Sequence, residues 1–156
     1  MAVAPKGRIA RQLDQAAGLC AAKGGRLTEI RRSVLALVIG AGCPVGAYAL
    51  LDRLKAERAN AAPVTVYRAL DFLLENGLIH KIERLNSFVA CTDSGEHEHP
   101  DHSVQFLICR TCGTVAEMED GGIAAAVSNA ASKTGFRPDH ATVEVEGICG
   151  SCAAAA

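Results

Sequence analysis

A chain of 156 residues has room for one ordinary domain or two small ones. Nearly half of it is apolar (49%), but it has no Trp and few other aromatics, so its core must be built from Ala, Val, Leu and Ile. The longest apolar run, Val34 to Cys43, is too short to span a bilayer, which argues against a membrane protein.

The net charge of −1 hides an asymmetry. Residues 1–84 carry thirteen Lys and Arg against seven Asp and Glu, whereas residues 85–156 carry three against ten. A basic half joined to an acidic half suggests that the basic one meets a polyanion. The first ten residues, MAVAPKGRIA, show no secretory pattern, so the expected location is the cytoplasm. Thiols stay reduced there, and seven cysteines then point to metal or redox chemistry rather than to disulfides.

In chain order, residues 8–23 are predicted as a first helix, with Ile9, Leu13 and Ala16 at helical spacing and Gly24-Gly25 ending it. A second helix covers 28–41, with Thr28 as N-cap and Ile30, Val34, Leu37 and Val38 as its apolar stripe. Pro44 separates it from a third at about 45–58, with Leu50, Leu51 and Leu54 inward. The fourth runs from Pro63, which suits a first helical position, to residue 76, and Gly77 stops it. Val66, Leu70, Leu73 and Leu74 form its buried face; Thr65, Arg68 and Asp71 lie opposite, with Tyr67 beside them.

Two short strands, 78–83 and 87–91, turn at Leu85-Asn86. Helices followed by a β-hairpin outline a winged helix, whose last helix enters the major groove of DNA. Arg68 could then reach a guanine edge and Tyr67 a thymine methyl, with Arg31, Arg32, Arg53, Lys55 and Arg58 on phosphates. Residues 92–101, TDSGEHEHPD, are polar and read as a hinge linker between a DNA-binding domain at 1–91 and a second domain at 102–156. The second domain is expected to hold strands at about 103–109, 114–119 and 141–146, with an Ala-rich helix at 121–134. The fold class is therefore α+β: a winged helix and a small α/β domain.

Cys109-Arg-Thr-Cys112 and Cys149-Gly-Ser-Cys152 are two CxxC units, each with the form of a zinc knuckle. Zinc takes four thiolates tetrahedrally in a closed structural site, and the helix and strand between the pairs allow them to meet. The competing readings are a redox-active pair, or two pairs that stay apart. Cys20 and Cys43 have no nearby partner and read as small buried residues.

His80 and Cys91 sit on the two wing strands, His102 opens the second domain, and Glu117 lies on its next strand. Together they suit a second, regulatory Zn²⁺ by ligand softness. Taken singly, each has an ordinary reading: a solvated histidine, a buried thiol, a loop histidine, a strand carboxylate. His97 and His99 form an HxH that is either solvated, or a further metal site with Glu119 or His140, or a replacement at the hinge. Four protein ligands leave no open coordination position, and no HExxH is present, so neither an enzyme nor a small organic substrate is expected.

Thr65-Val-Tyr-Arg-Ala-Leu70, the hinge donors and both CxxC pairs resemble the ferric-uptake-regulator family of metal-sensing repressors, over roughly residues 10–152. The likeness is greater to the zinc-sensing branch, whose sensory ligands fall at His80, Cys91, His102 and Glu117. Iron- and peroxide-sensing members, the alternative, typically carry HHxH before the first CxxC, where this chain reads Ser103-Val-Gln-Phe106. The resemblance implies a homodimer paired through its C-terminal strands, about two zinc ions per subunit, and a palindromic DNA operator. It also implies DNA contacts at Tyr48 and Arg68, with Thr65 and Tyr67 as neighbours.

Overall fold

The computed structural model describes residues 6–91, 104–139 and 141–155. The chain divides into two compact units, Met1–Pro100 and Asp101–Ala156.

The first unit is a winged helix. Four helices, α1 (Lys6–Ala22), α2 (Glu29–Ala41), α3 (Ala47–Glu57) and α4 (Pro63–Glu75), precede an antiparallel hairpin of β1 (Ile79–Ile82) and β2 (Ser87–Ala90). Their apolar stripes converge: Leu13, Ala16 and Cys20 from α1, Val34, Leu35 and Val38 from α2, Leu50, Leu51 and Leu54 from α3, Val66, Ala69, Leu70 and Leu73 from α4. Ile79 and Phe88 close this core from the wing side. Aliphatic side chains at helical spacing are what make the bundle, since each loses its apolar surface to water only by facing the others.

The passage from α4 to the wing is a tight C-terminal motif. Leu78 N–H donates to Leu73 O at 2.9 Å and Gly77 N–H to Leu74 O at 2.9 Å, with Gly77 in the left-handed region at φ 68°. Two features depart from the sequence expectation. Thr28 occupies the N-cap position of α2 with extended backbone, but its side chain makes no cap hydrogen bond. Val45, read only as part of a helix, instead pairs with Phe88 and adds a third short segment to the wing: Val45 N donates to Phe88 O and Phe88 N to Val45 O. With residue 45 extended, α3 starts at Ala47.

The second unit is a three-stranded sheet in the order β4-β3-β5, where β3 is Val104–Cys109, β4 Val115–Glu119 and β5 Val143–Gly147. β3 runs antiparallel to β4 and parallel to β5. A parallel neighbour needs a crossover, which α5 (Gly121–Ser132) provides. The helix is shorter than its Ala-rich pattern suggests, and Phe136 N–H closes it on Ala131 O at 3.1 Å. A short helix, α6 (Gly150–Ala154), follows β5 and holds the second Cys of the last CxxC.

Candidate metal centres and nucleic-acid interface

The four cysteines of the second unit converge because of strand register. β3 and β5 are parallel with Cys109 opposite Gly147, so Cys149, two residues beyond, arrives beside the first knuckle. Arg110 N–H donates to Gly147 O at 2.9 Å and fixes that junction. The first knuckle turns on Gly113, at φ 72°, whose N–H donates to Cys109 O at 2.8 Å, while Cys109 N–H donates to Thr114 O at 2.9 Å.

The sulfurs of Cys109, Cys112, Cys149 and Cys152 all lie within 4.8 Å of one another, and Cys112 Sγ is 3.8 Å from Cys149 Sγ. A zinc–sulfur bond of about 2.3 Å implies a tetrahedral edge of about 3.8 Å, so this spacing is that of a closed four-thiolate zinc site. The two CxxC pairs therefore meet.

Protonation points the same way. Backbone N–H groups, first that of Cys149 at 3.3 Å, hold the Cys109 thiol down to about 6. The Thr114 hydroxyl, 3.2 Å from Cys112 Sγ, is the main cause of a lowered Cys112. Cys152 is pushed up to about 12, chiefly by the side chains of Cys149 and Cys112. Thiolates packed this closely repel one another, so a bound cation would be needed for all four to ionise together. Thr114 was missed in the sequence, where a Thr two residues past a CxxC carries no distinctive pattern.

At the wing, β1 and β2 pair with His80 opposite Val89. Cys91 follows β2, and its N–H donates to Leu78 O at 3.1 Å, keeping it beside the start of β1. Cys91 is buried and His80 half-buried, and their donor atoms lie within 4.8 Å of each other. Glu117 is half-buried on β4 opposite Phe106, and Glu119 is exposed opposite Val104. His97, His99, His102 and His140 lie outside the described residues. Cys20 is fully buried and Cys43 half-buried, both without a disulfide.

Helix α4 presents a two-faced surface. Val66, Ala69, Leu70 and Leu73 face the core, while Val64, Tyr67, Arg68 and Asp71 are exposed and Thr65 half-buried. Tyr48, near the start of α3, is 72% exposed and lines a groove with Tyr67, Asp71, Lys81 and Ser87, between α4 and the wing. Of the five basic residues expected on phosphates, three have partners within the unit. Arg31 stacks over Phe72 at 3.5 Å and donates to Arg26 O, Arg32 pairs with Asp14 at 2.8 Å, and Arg58 pairs with Glu29. Arg53 and Lys55 are exposed and make no ion pair among the described residues.

Comparisons with known proteins place the chain in one family. The profile of the Ferric uptake regulator family matches residues 22–146. The chain belongs to that family. It is 41% identical over 140 residues to the zinc uptake regulation protein of Escherichia coli K12, spanning 90% of this chain and 80% of that one. Among solved structures, a zinc uptake regulator complexed with zinc and DNA superposes with a TM-score of 0.88 at 39% identity, covering 94% of this chain and 96% of the other. Holo XcZur superposes at 0.82 with 45% identity, over 91% and 96% of the two chains. Among the described residues, no helix is long and apolar enough to cross a membrane.

Proposed function

We propose that the protein is a zinc-responsive transcriptional repressor that binds palindromic operator DNA as a metal-loaded homodimer and controls zinc-uptake genes. One observation carries this reading: the buried Cys91 thiol and the His80 imidazole are brought together at the base of the wing. A thiolate beside an imidazole suits zinc better than resting Fe²⁺ or Mn²⁺. The likeness to zinc uptake regulators, one of them solved with zinc and DNA, supports the same choice.

Two zinc ions per subunit are expected. Cys109, Cys112, Cys149 and Cys152 would hold the structural ion, and His80, Cys91, His102 and Glu117 the regulatory one. Zinc would supply a tetrahedral template for nitrogen, sulfur and oxygen donors. The protein's own residues do the rest: Arg68 and Tyr67 meet base edges, Tyr48 and Thr65 flank them, and Arg53 and Lys55 meet phosphates. Leu107 on β3 and Val145 on β5 sit side by side in register and are 41% and 47% exposed, an apolar surface that a second copy would cover. Neither metal centre is read as catalytic, because four protein ligands close each of them. The place of action would be the cytoplasm, where the thiols stay reduced.

The test is metal content and DNA retention of one sample, before and after mild chelation. A duplex enriched from a random pool by the zinc-loaded protein serves as the probe. Two zinc ions per subunit falling to one, with DNA binding lost in step, is the expected result. One zinc throughout, with binding restored only by Fe²⁺ or Mn²⁺, would overturn the zinc assignment in favour of an iron- or peroxide-sensing role.

A further inference from the structure

We infer that Val64 is a specificity-determining residue of α4, recognising the 5-methyl group of a thymine in each half-site. The inference rests on the reading above that α4 enters the major groove.

Val64 is the second residue of α4, and it is 55% exposed. Recognition helices of this class bring their N-terminal residues to the base edges. Val64 shares the outward stripe of the helix with Tyr67, Arg68 and Asp71, at spacings of three, four and seven, opposite the buried stripe of Val66, Ala69, Leu70 and Leu73. More than half of its surface is open to solvent. A β-branched residue forms helix less well than Ala, and its apolar surface stays in water.

Isolated exposed apolar residues are ordinary, but Val64 is not isolated. Tyr67, one turn on, is 44% exposed, and Tyr48 is 72% exposed beside Tyr67 in the groove between α4 and the wing. Together they form an apolar strip on the surface assigned to DNA. Valine has neither donor nor acceptor, so the one base-edge feature it can recognise is the thymine methyl. With a rise of about 1.5 Å per residue, Val64 sits about 6 Å along the helix axis from Arg68. That is one to two base-pair steps of about 3.4 Å, so the thymine should lie one or two positions from the guanine addressed by Arg68.

The experiment uses zinc-loaded full-length protein and a duplex enriched from a random pool by the wild type. Each thymine of that duplex is replaced by uracil in turn, which removes only the methyl group. At one position per half-site, distinct from any thymine met by Tyr67, the wild type should lose about fourfold in affinity, the effect of burying one methyl. Val64→Ala should bind the thymine duplex about fourfold more weakly and lose nothing further on replacement there. Val64→Ile should restore the discrimination. Val64→Ala that still discriminates thymine from uracil at every position where the wild type does overturns the inference. Arg68→Ala separates the two levels of failure. If it loses sequence preference while Val64→Ala behaves as wild type, only the role of Val64 falls. If Arg68→Ala is also unchanged, or the wild type enriches no sequence, the assignment of α4 falls with it.

Discussion

Gln105 Oε1, at the centre of the second unit, accepts the backbone N–H of Asp120 at 2.8 Å. Gln105 is fully buried on the central strand, and Asp120 is the N-cap of α5. The Asp120 carboxylate in turn accepts from Gly122 N–H at 2.7 Å and Ile123 N–H at 3.2 Å. One buried carboxamide thus fastens the crossover helix to the strand it must cross. At position 105 this chain has a glutamine engaged in holding α5.

Asp120→Ala should therefore destabilise the second unit by about 1 kcal/mol, the usual loss for an N-cap carboxylate. The measurement is the urea midpoint of the zinc-loaded protein, followed by a probe in that unit. Asp120→Asn, which keeps an acceptor oxygen, should recover most of the loss. Equal midpoints for Asp120→Ala and wild type would show that the cap contributes nothing here.

Cys112→Ser should abolish the structural metal site. Its sulfur stands 3.8 Å from that of Cys149, and serine is a poor replacement for a thiolate on zinc. Metal analysis should lose one zinc per subunit. Because metal binding at such sites is folding free energy, the second unit should also lose protection against hydrogen exchange. A variant that keeps its full zinc content and protection would require another fourth ligand.

The four-helix outline of the first unit was legible because Val34, Leu50, Leu70 and their neighbours repeat at helical spacing, and periodicity is a local property of sequence. The meeting of the two CxxC pairs was legible in part: the spacing allowed it, but the Cys109–Gly147 register that causes it is a long-range pairing with no local signature. The same holds for Val45, which pairs with Phe88 from the short connection between α2 and α3. Thr28 shows the opposite case, a residue of the right type at the right place whose capping bond does not form. The basic residues of the first unit looked equivalent in sequence. Only their three-dimensional neighbours separate Arg31, Arg32 and Arg58, which hold helices together, from Arg53 and Lys55.

Arg53, outside those pairs, and Arg68, on the outer face of α4, should give two kinds of arginine phenotype. Arg53→Ala should lower the slope of log affinity against log salt by about 1 and weaken binding to all duplexes alike. Arg68→Ala should cost about 1–3 kcal/mol on the preferred duplex and relax the preference at one position. Dimer formation and zinc content should be unchanged in both. Gel-shift titrations over a salt series read both quantities; an Arg68→Ala variant with undiminished preference would remove Arg68 from the base contacts.

Cys91→Ser isolates the regulatory site from the structural one. The side chain is 4% exposed and its backbone N–H is held by Leu78 O, so a near-isosteric replacement should leave the winged helix folded. It removes the softest donor of the set, and with it the preference for zinc over harder-ligand metals. The variant should keep the zinc held by Cys109, Cys112, Cys149 and Cys152 but take up one zinc fewer per subunit than wild type. It should also fail to retain the selected duplex when zinc is added. Cobalt substitution gives an independent readout, since loss of a thiolate removes sulfur-to-metal charge transfer from one site while the four-thiolate spectrum persists. A Cys91→Ser protein that binds two metals and responds to zinc as wild type does would place the sensory ligands elsewhere in the chain.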